Sequence, residues 1–196
     1  MSTVRRVAVA AAALAIGASL ASCQYFASTF PDVPTPAPTT TGAPAETDMQ
    51  RQMRLDYEAA EKAYRTSAVE AEKIVNGGAT KPSADFKAVA TGEYVDRIMG
   101  LAGQVRQAGY SKVTGGTVIR GVVPAGYQEK KIKLIACEDV SQLKAYKDGK
   151  RVKGTNSTPY YVQDLTVIKT KASTWKVSDI ETTQVKSLEG QPCVNS

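Results

Sequence analysis

The sequence predicts an α+β domain in which N-terminal helices pack on one face of an antiparallel sheet. Apolar residues recur at helical spacing up to about residue 108, and after Tyr110 the pattern changes to the alternation typical of strands. The Asp148-Gly149 pair is a strong signal for a hairpin turn between antiparallel strands. Helices followed by a run of strands favour an α+β arrangement.

Two long helices and a short one are predicted before the sheet. Thr47 and Gln50 form a capping-box pattern at the start of the first helix, and residues 76–78 end it with two glycines. The second long helix covers about residues 92–108, and a short extra helix is expected within residues 82–90. The apolar face of the first helix is predicted at Met49, Met53, Tyr57, Ala60, Tyr64, Ala68, Ala71 and Val75.

The strands follow one another in the second half of the chain. They are predicted at residues 117–123, 131–137, 143–146, 151–153, 159–170 and 175–183. Alternation is clear in the second of these, where Ile132 and Leu134 should face away from Lys131 and Lys133.

The composition narrows the chemistry that the domain can perform. The chain has 196 residues, a formal net charge of +6 and 42% hydrophobic residues, which is typical of a globular domain with accessory segments. It contains no histidine, the commonest general base and the commonest neutral metal ligand. Because a Cys-x-x-Cys spacing is also missing, we expect neither a metal site nor a cofactor.

The N-terminus has the layout of a secretory signal. Arg5 and Arg6 precede an uncharged run at residues 7–20, which is shorter than the about 20 apolar residues that span a bilayer. The sequence Leu-Ala-Ser-Cys at residues 20–23 resembles the lipobox of bacterial lipoproteins. The resemblance implies cleavage before Cys23, a diacylglyceryl group on its thiol, and anchoring to the outer face of the cell membrane. An ordinary signal peptide and an uncleaved anchor helix are the alternatives.

Three segments follow from these patterns. Residues 1–22 are the lipoprotein signal peptide, and residues 23–47 form a tether that begins at the lipidated cysteine and is rich in proline and threonine. Such a stretch buries too little apolar surface to order itself. Residues 48–196 are the α+β domain.

Scattered residues within the predicted elements carry a second resemblance. They are Ala90-Thr91-Gly92-Glu93-Tyr94, Cys137-Glu138-Asp139-Val140-Ser141, Asp148-Gly149 and Thr174-Trp175-Lys176-Val177. With the order of elements, they resemble the nuclear transport factor two-like superfamily, and especially small actinobacterial lipoproteins with that domain. The resemblance implies a cystatin-like cone, in which helices pack on a curved antiparallel sheet. Members include enzymes, ligand binders and protein-interaction modules, so the fold alone does not select a function.

The cysteine count predicts a disulfide once Cys23 is assigned to the lipid. Cys137 and Cys193 are then an even pair in an oxidising compartment, and we expect a bridge that ties the C-terminal tail to the sheet. Two buried free thiols and a shared metal ion are the alternatives.

Aromatic side chains are the candidates for the lining of a pocket inside the cone. They are Tyr57, Tyr64, Tyr94, Tyr161 and Trp175. A pocket lined in this way would suit a small apolar ligand. The alternative is that these side chains only fill the core between the helices and the sheet.

The sequence favours a non-catalytic domain that binds an envelope protein or a small apolar ligand. The resemblance implies that cone enzymes use an Asp with a His, which is excluded here, or a Tyr with an Asp. Tyr94 or Tyr161 could form such a pair with Asp139 or Asp164, although nothing in the sequence spacing of these residues requires one. The alternatives are therefore an enzyme of this kind and a phage- or prophage-encoded envelope protein that affects superinfection.

Lysines and arginines are dense between residues 130 and 176. Nucleic acid is not an expected partner, because the domain is exported and aromatic stacking residues are not interleaved with the basic ones. We expect a solvated sheet face, and contact with anionic lipid headgroups or wall polymers is the alternative.

Overall fold

The computed structural model describes residues 45–152 and 158–194. The predicted signal peptide, Cys23 and most of the tether lie outside these residues. No helix within the described part of the chain is long and apolar enough to cross a membrane.

The first helix, α1 (Asp48–Asn76), begins and ends where the sequence signals predict. The backbone N–H of Gln50 donates to Thr47 Oγ1 at 3.2 Å, and the backbone N–H of Thr47 donates to Gln50 Oε1 at 2.9 Å. This reciprocal pair satisfies two N–H groups that have no partner inside the helix. At the other end, the Gly77 N–H donates to the Lys73 carbonyl at 2.9 Å.

The buried face of α1 differs from the predicted apolar stripe. Its buried members are Asp56, Ala60, Ala63, Tyr64, Ser67, Ala71 and Ile74. Met49, at the start of the predicted stripe, is exposed. Asp56 is buried because Tyr127 donates to its carboxylate at 2.9 Å and Lys169 at 3.2 Å. The helical period predicts the buried face of α1 to within about one residue. It does not predict that Asp56 and Ser67 are buried on that face.

The main sheet of the described residues is antiparallel, and its strands run in the order β2-β3-β6-β7. They are β2 (Val118–Gln128), β3 (Lys131–Asp139), β6 (Tyr160–Lys169) and β7 (Trp175–Val185). Register shifts interrupt the β2–β3 and β6–β7 pairings. Such bulges bend strands and increase their twist. The sheet is therefore curved, and the predicted α+β class is confirmed.

A second, small sheet is formed by β1 (Lys112–Thr114), β4 (Lys144–Lys147) and β5 (Lys150–Arg151). Asp148 and Gly149 join β4 to β5 with positive φ angles of 51° and 74°, which confirms the predicted hairpin turn. The separate sheet was not expected. Strand β1 has three residues, too few to show an alternating pattern.

The remaining helices, α2 (Ala84–Val89) and α3 (Gly92–Gln107), follow α1 and precede the strands. The start of α3 is attached to β7, because the Thr91 N–H donates to the Val177 carbonyl at 2.9 Å. Gly92 has a φ of +58°, and a Cβ atom there would lie 3.1 Å from the Ser178 carbonyl oxygen. Glycine thus allows the helix to begin directly against the strand.

The two surfaces of the main sheet bury different clusters. The surface that faces the helices packs Ile132, Leu134 and Val167 against α1 and α3 in one core. The outer surface packs Cys137 and Val162 under the C-terminal segment that follows β7. Because neighbouring residues of a strand face opposite surfaces, a shift of one position moves a side chain from one cluster to the other.

Candidate ligand-binding cavity

A cavity of about 460 Å³ lies between α1, α3 and the helix-facing surface of the main sheet. Its apolar walls include Ala68, Ala71, Val75, Ile98, Leu101 and Ile180. Its polar lining includes Glu72, Arg97, Glu138, Tyr161, Gln163 and Thr182. A volume of this size lies within the usual range of small-molecule sites, roughly 300–1,000 Å³.

The cavity occurs where the helix-facing surface changes from apolar to polar. In the β3–β6 register, Leu134 lies opposite Leu165, a buried apolar pair beneath the helices. Four residues further along β3, Glu138 lies opposite Tyr161, and both side chains line the cavity. The strands therefore carry a closed apolar end and a cavity end with fixed polar groups.

Glu138 is a buried carboxylate of the lining, and side chains of the protein hydrogen-bond to both of its oxygens. It is 8% exposed. The Tyr64 hydroxyl donates to its Oε1 at 2.5 Å, and the Gln163 amide donates to its Oε2 at 2.8 Å. The Thr182 hydroxyl in turn donates to Gln163 Oε1 at 2.6 Å, which orients the amide. Because a carboxylate offers about four acceptor positions, further ones remain for a ligand.

Tyr64 donates to this carboxylate, whereas the hydroxyl of the nearby Tyr94 accepts a hydrogen bond from Ser67 Oγ at 3.5 Å. Burial raises the pKa of Tyr64 well above its ordinary value, and the charge of Glu138 raises it further. Burial also raises the pKa of Tyr94 to about 12. Both phenols are therefore protonated at neutral pH and cannot serve as bases there.

Only two of the five aromatic residues expected in the pocket line the cavity. Tyr94 and Tyr161 do so. Tyr64 is fully buried behind Glu138. Tyr57 pairs with Tyr127 at a ring distance of 5.7 Å, and Trp175 is buried in the core.

The strand register explains why Tyr57 and Trp175 lie away from the cavity. Tyr127, the partner of Tyr57, lies opposite Ile132, and Trp175 lies opposite Lys169. These pairs belong to the end of the sheet that is remote from the cavity, and six residues of strand, about 20 Å, separate Ile132 from Glu138. The pocket expectation is therefore corrected to Tyr94 and Tyr161.

The two aspartates considered for a Tyr/Asp pair lie away from the cavity lining. Asp139 follows Glu138 in β3 and faces the outer surface, where it accepts from Arg120 Nη2 at 2.5 Å and from the Ser141 N–H at 2.9 Å. These bonds lower the pKa of Asp139 to about 2. Asp164 is exposed on β6.

The cavity carboxylate that sequence reasoning missed is Glu138. A signal was present, because Ile132, Leu134 and Ala136 alternate towards the helices and the same period leads to position 138. An acidic residue on an otherwise apolar strand face is unusual unless it has partners. Those partners, Tyr64 and Gln163, are 74 and 25 residues away in sequence, so no local pattern reveals them.

Cys137 and Cys193 meet on the outer surface of the sheet. Their sulfur atoms lie at disulfide distance, and their Cα atoms are 5.6 Å apart. The pair joins β3 to the C-terminal segment, as the cysteine count predicts. No cluster of three or more potential metal ligands occurs in residues 45–152 or 158–194.

The helices and the curved sheet define an α+β cone domain with a cavity at one end. No protein-family model matches the chain, and no curated protein matches its sequence. A solved structure provisionally assigned as a scytalone dehydratase from Novosphingobium aromaticivorans DSM 12444 is similar, with a TM-score of 0.42, 10% identity, and coverage of 70% of this chain and 89% of that one. A provisionally assigned aromatic ring hydroxylase from Novosphingobium aromaticivorans has a TM-score of 0.41 and 13% identity, and the match covers 67% of this chain and 90% of that one.

Proposed function

We propose that the protein is a membrane-anchored extracytoplasmic lipoprotein whose cone domain binds a small, largely apolar ligand without catalysis. The observation that carries the ligand-binding part is the cavity of about 460 Å³, with apolar walls and one oriented carboxylate. Apolar walls supply most of the affinity of such sites, and a few fixed polar groups orient the ligand.

The polar groups around the cavity support binding rather than catalysis. The chain contains no histidine, Tyr64 and Tyr94 stay protonated at neutral pH, and Asp139 faces the outer surface. Both oxygens of Glu138 accept hydrogen bonds from side chains of the protein. An enzyme is the second candidate, and it is favoured by one observation, the buried carboxylate beside a cavity. Its acid or base would be Glu138 or Glu72, the two carboxylates of the lining.

A matched pair of substitutions on α1 tests the ligand-binding part. Ala68 lines the cavity, whereas the neighbouring Val69 is exposed. We expect Ala68→Phe to occupy part of the cavity and weaken binding of the probes, and Val69→Phe to leave binding unchanged. The measurement is calorimetric titration with three naphthalene probes, 2-naphthylmethylamine, 2-naphthalenemethanol and 2-naphthoate. The protein is prepared from residue 23 onward with Cys23→Ala, which removes the predicted signal peptide and the lipid and so avoids detergent, into which the probes would partition.

The ligand-binding proposal fails if none of the three probes binds saturably at millimolar concentration. It also fails if Ala68→Phe and Val69→Phe bind the probes equally well, because the bound probe would then lie outside the cavity.

The anchoring part rests on the lipobox-like sequence that ends at Cys23. Two acyl chains give stable membrane binding, where one gives only marginal binding. We expect a clickable fatty-acid analogue to label the protein in living cells, and Cys23→Ala to abolish both the label and recovery in the membrane fraction. The anchoring part is overturned if the wild-type protein is not labelled and the Cys23→Ala form fractionates in the same way as the wild type. The cavity proposal would be unaffected by that result.

A further inference from the structure

We infer that the ligand of the cavity carries a protonated amine, which binds at Glu138 while its apolar body contacts the walls. This inference rests on the proposed function and names the chemical class of the ligand.

The three buried acidic side chains of the described residues differ in their partners. Asp56, Glu138 and Asp139 are 5%, 8% and 4% exposed. Asp56 forms a salt bridge with Lys169 at 3.2 Å, and Asp139 forms one with Arg120 at 2.5 Å. Glu138 forms no salt bridge with any residue of ranges 45–152 and 158–194. Buried carboxylates are usually paired with a cation, and the exception here is the one that lines the cavity.

The protein partners of Glu138 orient it but leave its charge uncompensated. The Tyr64 phenol and the Gln163 amide are both neutral donors. Each oxygen accepts one of these bonds and keeps acceptor capacity for another. A ligand cation in the cavity would add the charge-assisted hydrogen bond that Asp56 and Asp139 obtain from the protein.

The other charged groups of the lining agree with a cationic ligand. Glu72 adds a second carboxylate, and it accepts a hydrogen bond from the Thr117 N–H at 3.3 Å. Arg97 is the single basic residue of the lining, and its side chain is exposed to solvent. An anionic ligand would therefore be placed against a buried negative charge, and its desolvation would be uncompensated.

The three naphthalene probes test this inference because they share a ring system and differ in charge. At pH 7.5, the amine is a cation, the alcohol is neutral and 2-naphthoate is an anion. We expect the wild-type cavity to bind the amine about tenfold more tightly than the alcohol, and naphthoate more weakly than both.

The isosteric variant Glu138→Gln should remove the preference for the amine. We expect the alcohol to keep its affinity within about threefold, since the glutamine side chain still accepts and donates hydrogen bonds. Asp139→Asn is the matched control, because it neutralises the adjacent carboxylate on the outer surface and should preserve the tenfold preference. Circular dichroism and thermal melts establish whether each variant is folded.

The outcomes separate this inference from the proposed function. A wild-type protein that binds the alcohol at least as tightly as the amine would overturn the inference while the cavity proposal stands, and this comparison requires no variant. Retention of the tenfold preference in folded Glu138→Gln would also overturn it. If none of the probes binds, the proposed function itself fails.

Discussion

Glu138 and Asp139 are adjacent in the sequence, and their carboxylates lie on opposite surfaces of one sheet. Glu138 faces the helices and lines the cavity, whereas Asp139 forms a salt bridge with Arg120 on the outer surface. The alternation of a strand alone causes this separation. Sequence reasoning that looks for a Tyr/Asp pair selects the aspartate, which has the expected residue type but lies on the other surface.

Removing the Tyr64 hydroxyl tests the energetic value of the Glu138 network. Tyr64→Phe withdraws the 2.5 Å hydrogen bond from a buried carboxylate, so we expect a loss of about 2 kcal/mol in the free energy of unfolding. Urea unfolding measures it, and Tyr110→Phe, at an exposed tyrosine, is the control with an expected change below about 0.5 kcal/mol. Equal, small effects of the two substitutions would show that the hydroxyl contributes nothing.

The lowered pKa of Asp139 predicts a pH-dependent contribution to stability. Because the folded pKa of about 2 lies below the ordinary aspartate value of 3.8, the contribution is present above pH 3.8 and is lost as the pH falls through 2. We expect Asp139→Asn to cost about 1 kcal/mol at pH 6, after allowance for solvent screening of the partly exposed Arg120.

The stability difference between wild type and Asp139→Asn should then shrink towards zero between pH 4 and pH 2, as measured by thermal or urea unfolding. Asp164→Asn, at an exposed carboxylate of β6, is the control. A difference that stays constant over this pH range would contradict the role assigned to the ionised Asp139.

At the scale of elements, the sequence predicts what is local and periodic. The capping box at Thr47 and Gln50, the helix stop at residues 76–78 and the Asp148-Gly149 turn are all confirmed. Strand β1 and the separate small sheet were missed, because three residues carry no periodic signal. The buried polar contacts of α1 were missed because their partners lie on distant strands.

The C-terminal segment is the element most dependent on a single covalent link. After β7, Leu188 and Cys193 pack on Cys137 and Val162 at the outer surface of the sheet. The link spans 56 residues, for which the chain-entropy treatment gives about 4 kcal/mol. Reduction, or Cys193→Ser, should therefore lower the free energy of unfolding by about 3–4 kcal/mol.

Hydrogen exchange offers a local measurement of the same prediction. Without the link, amides of residues 186–194 should exchange much faster, while those of α1 and α3 change less. A reductant that alters neither the exchange of this segment nor the stability of the wild-type protein would contradict a bridge between Cys137 and Cys193.

The whole domain has a closed apolar end and a cavity end with fixed polar groups. Ile132, Leu134 and Val167 fill the space beneath the helices at the closed end. At the other end, Glu138 and Gln163 occupy the same sheet surface, and a cavity of about 460 Å³ takes the place of a packed core. The order of elements predicts the cone, but the space inside it depends on side-chain volumes across four elements and is not visible in the sequence.

The central claim is that this cavity is a binding site, and the most direct test locates a bound probe by NMR spectroscopy. With 2-naphthylmethylamine and methyl-labelled Cys23→Ala protein, we predict intermolecular Overhauser contacts from the ring to the methyl groups of Ala71, Val75, Ile98 and Ile180, which line the cavity. Contacts confined to exposed methyl groups such as Val69 and Val118, or no contacts at saturating probe, would contradict the claim.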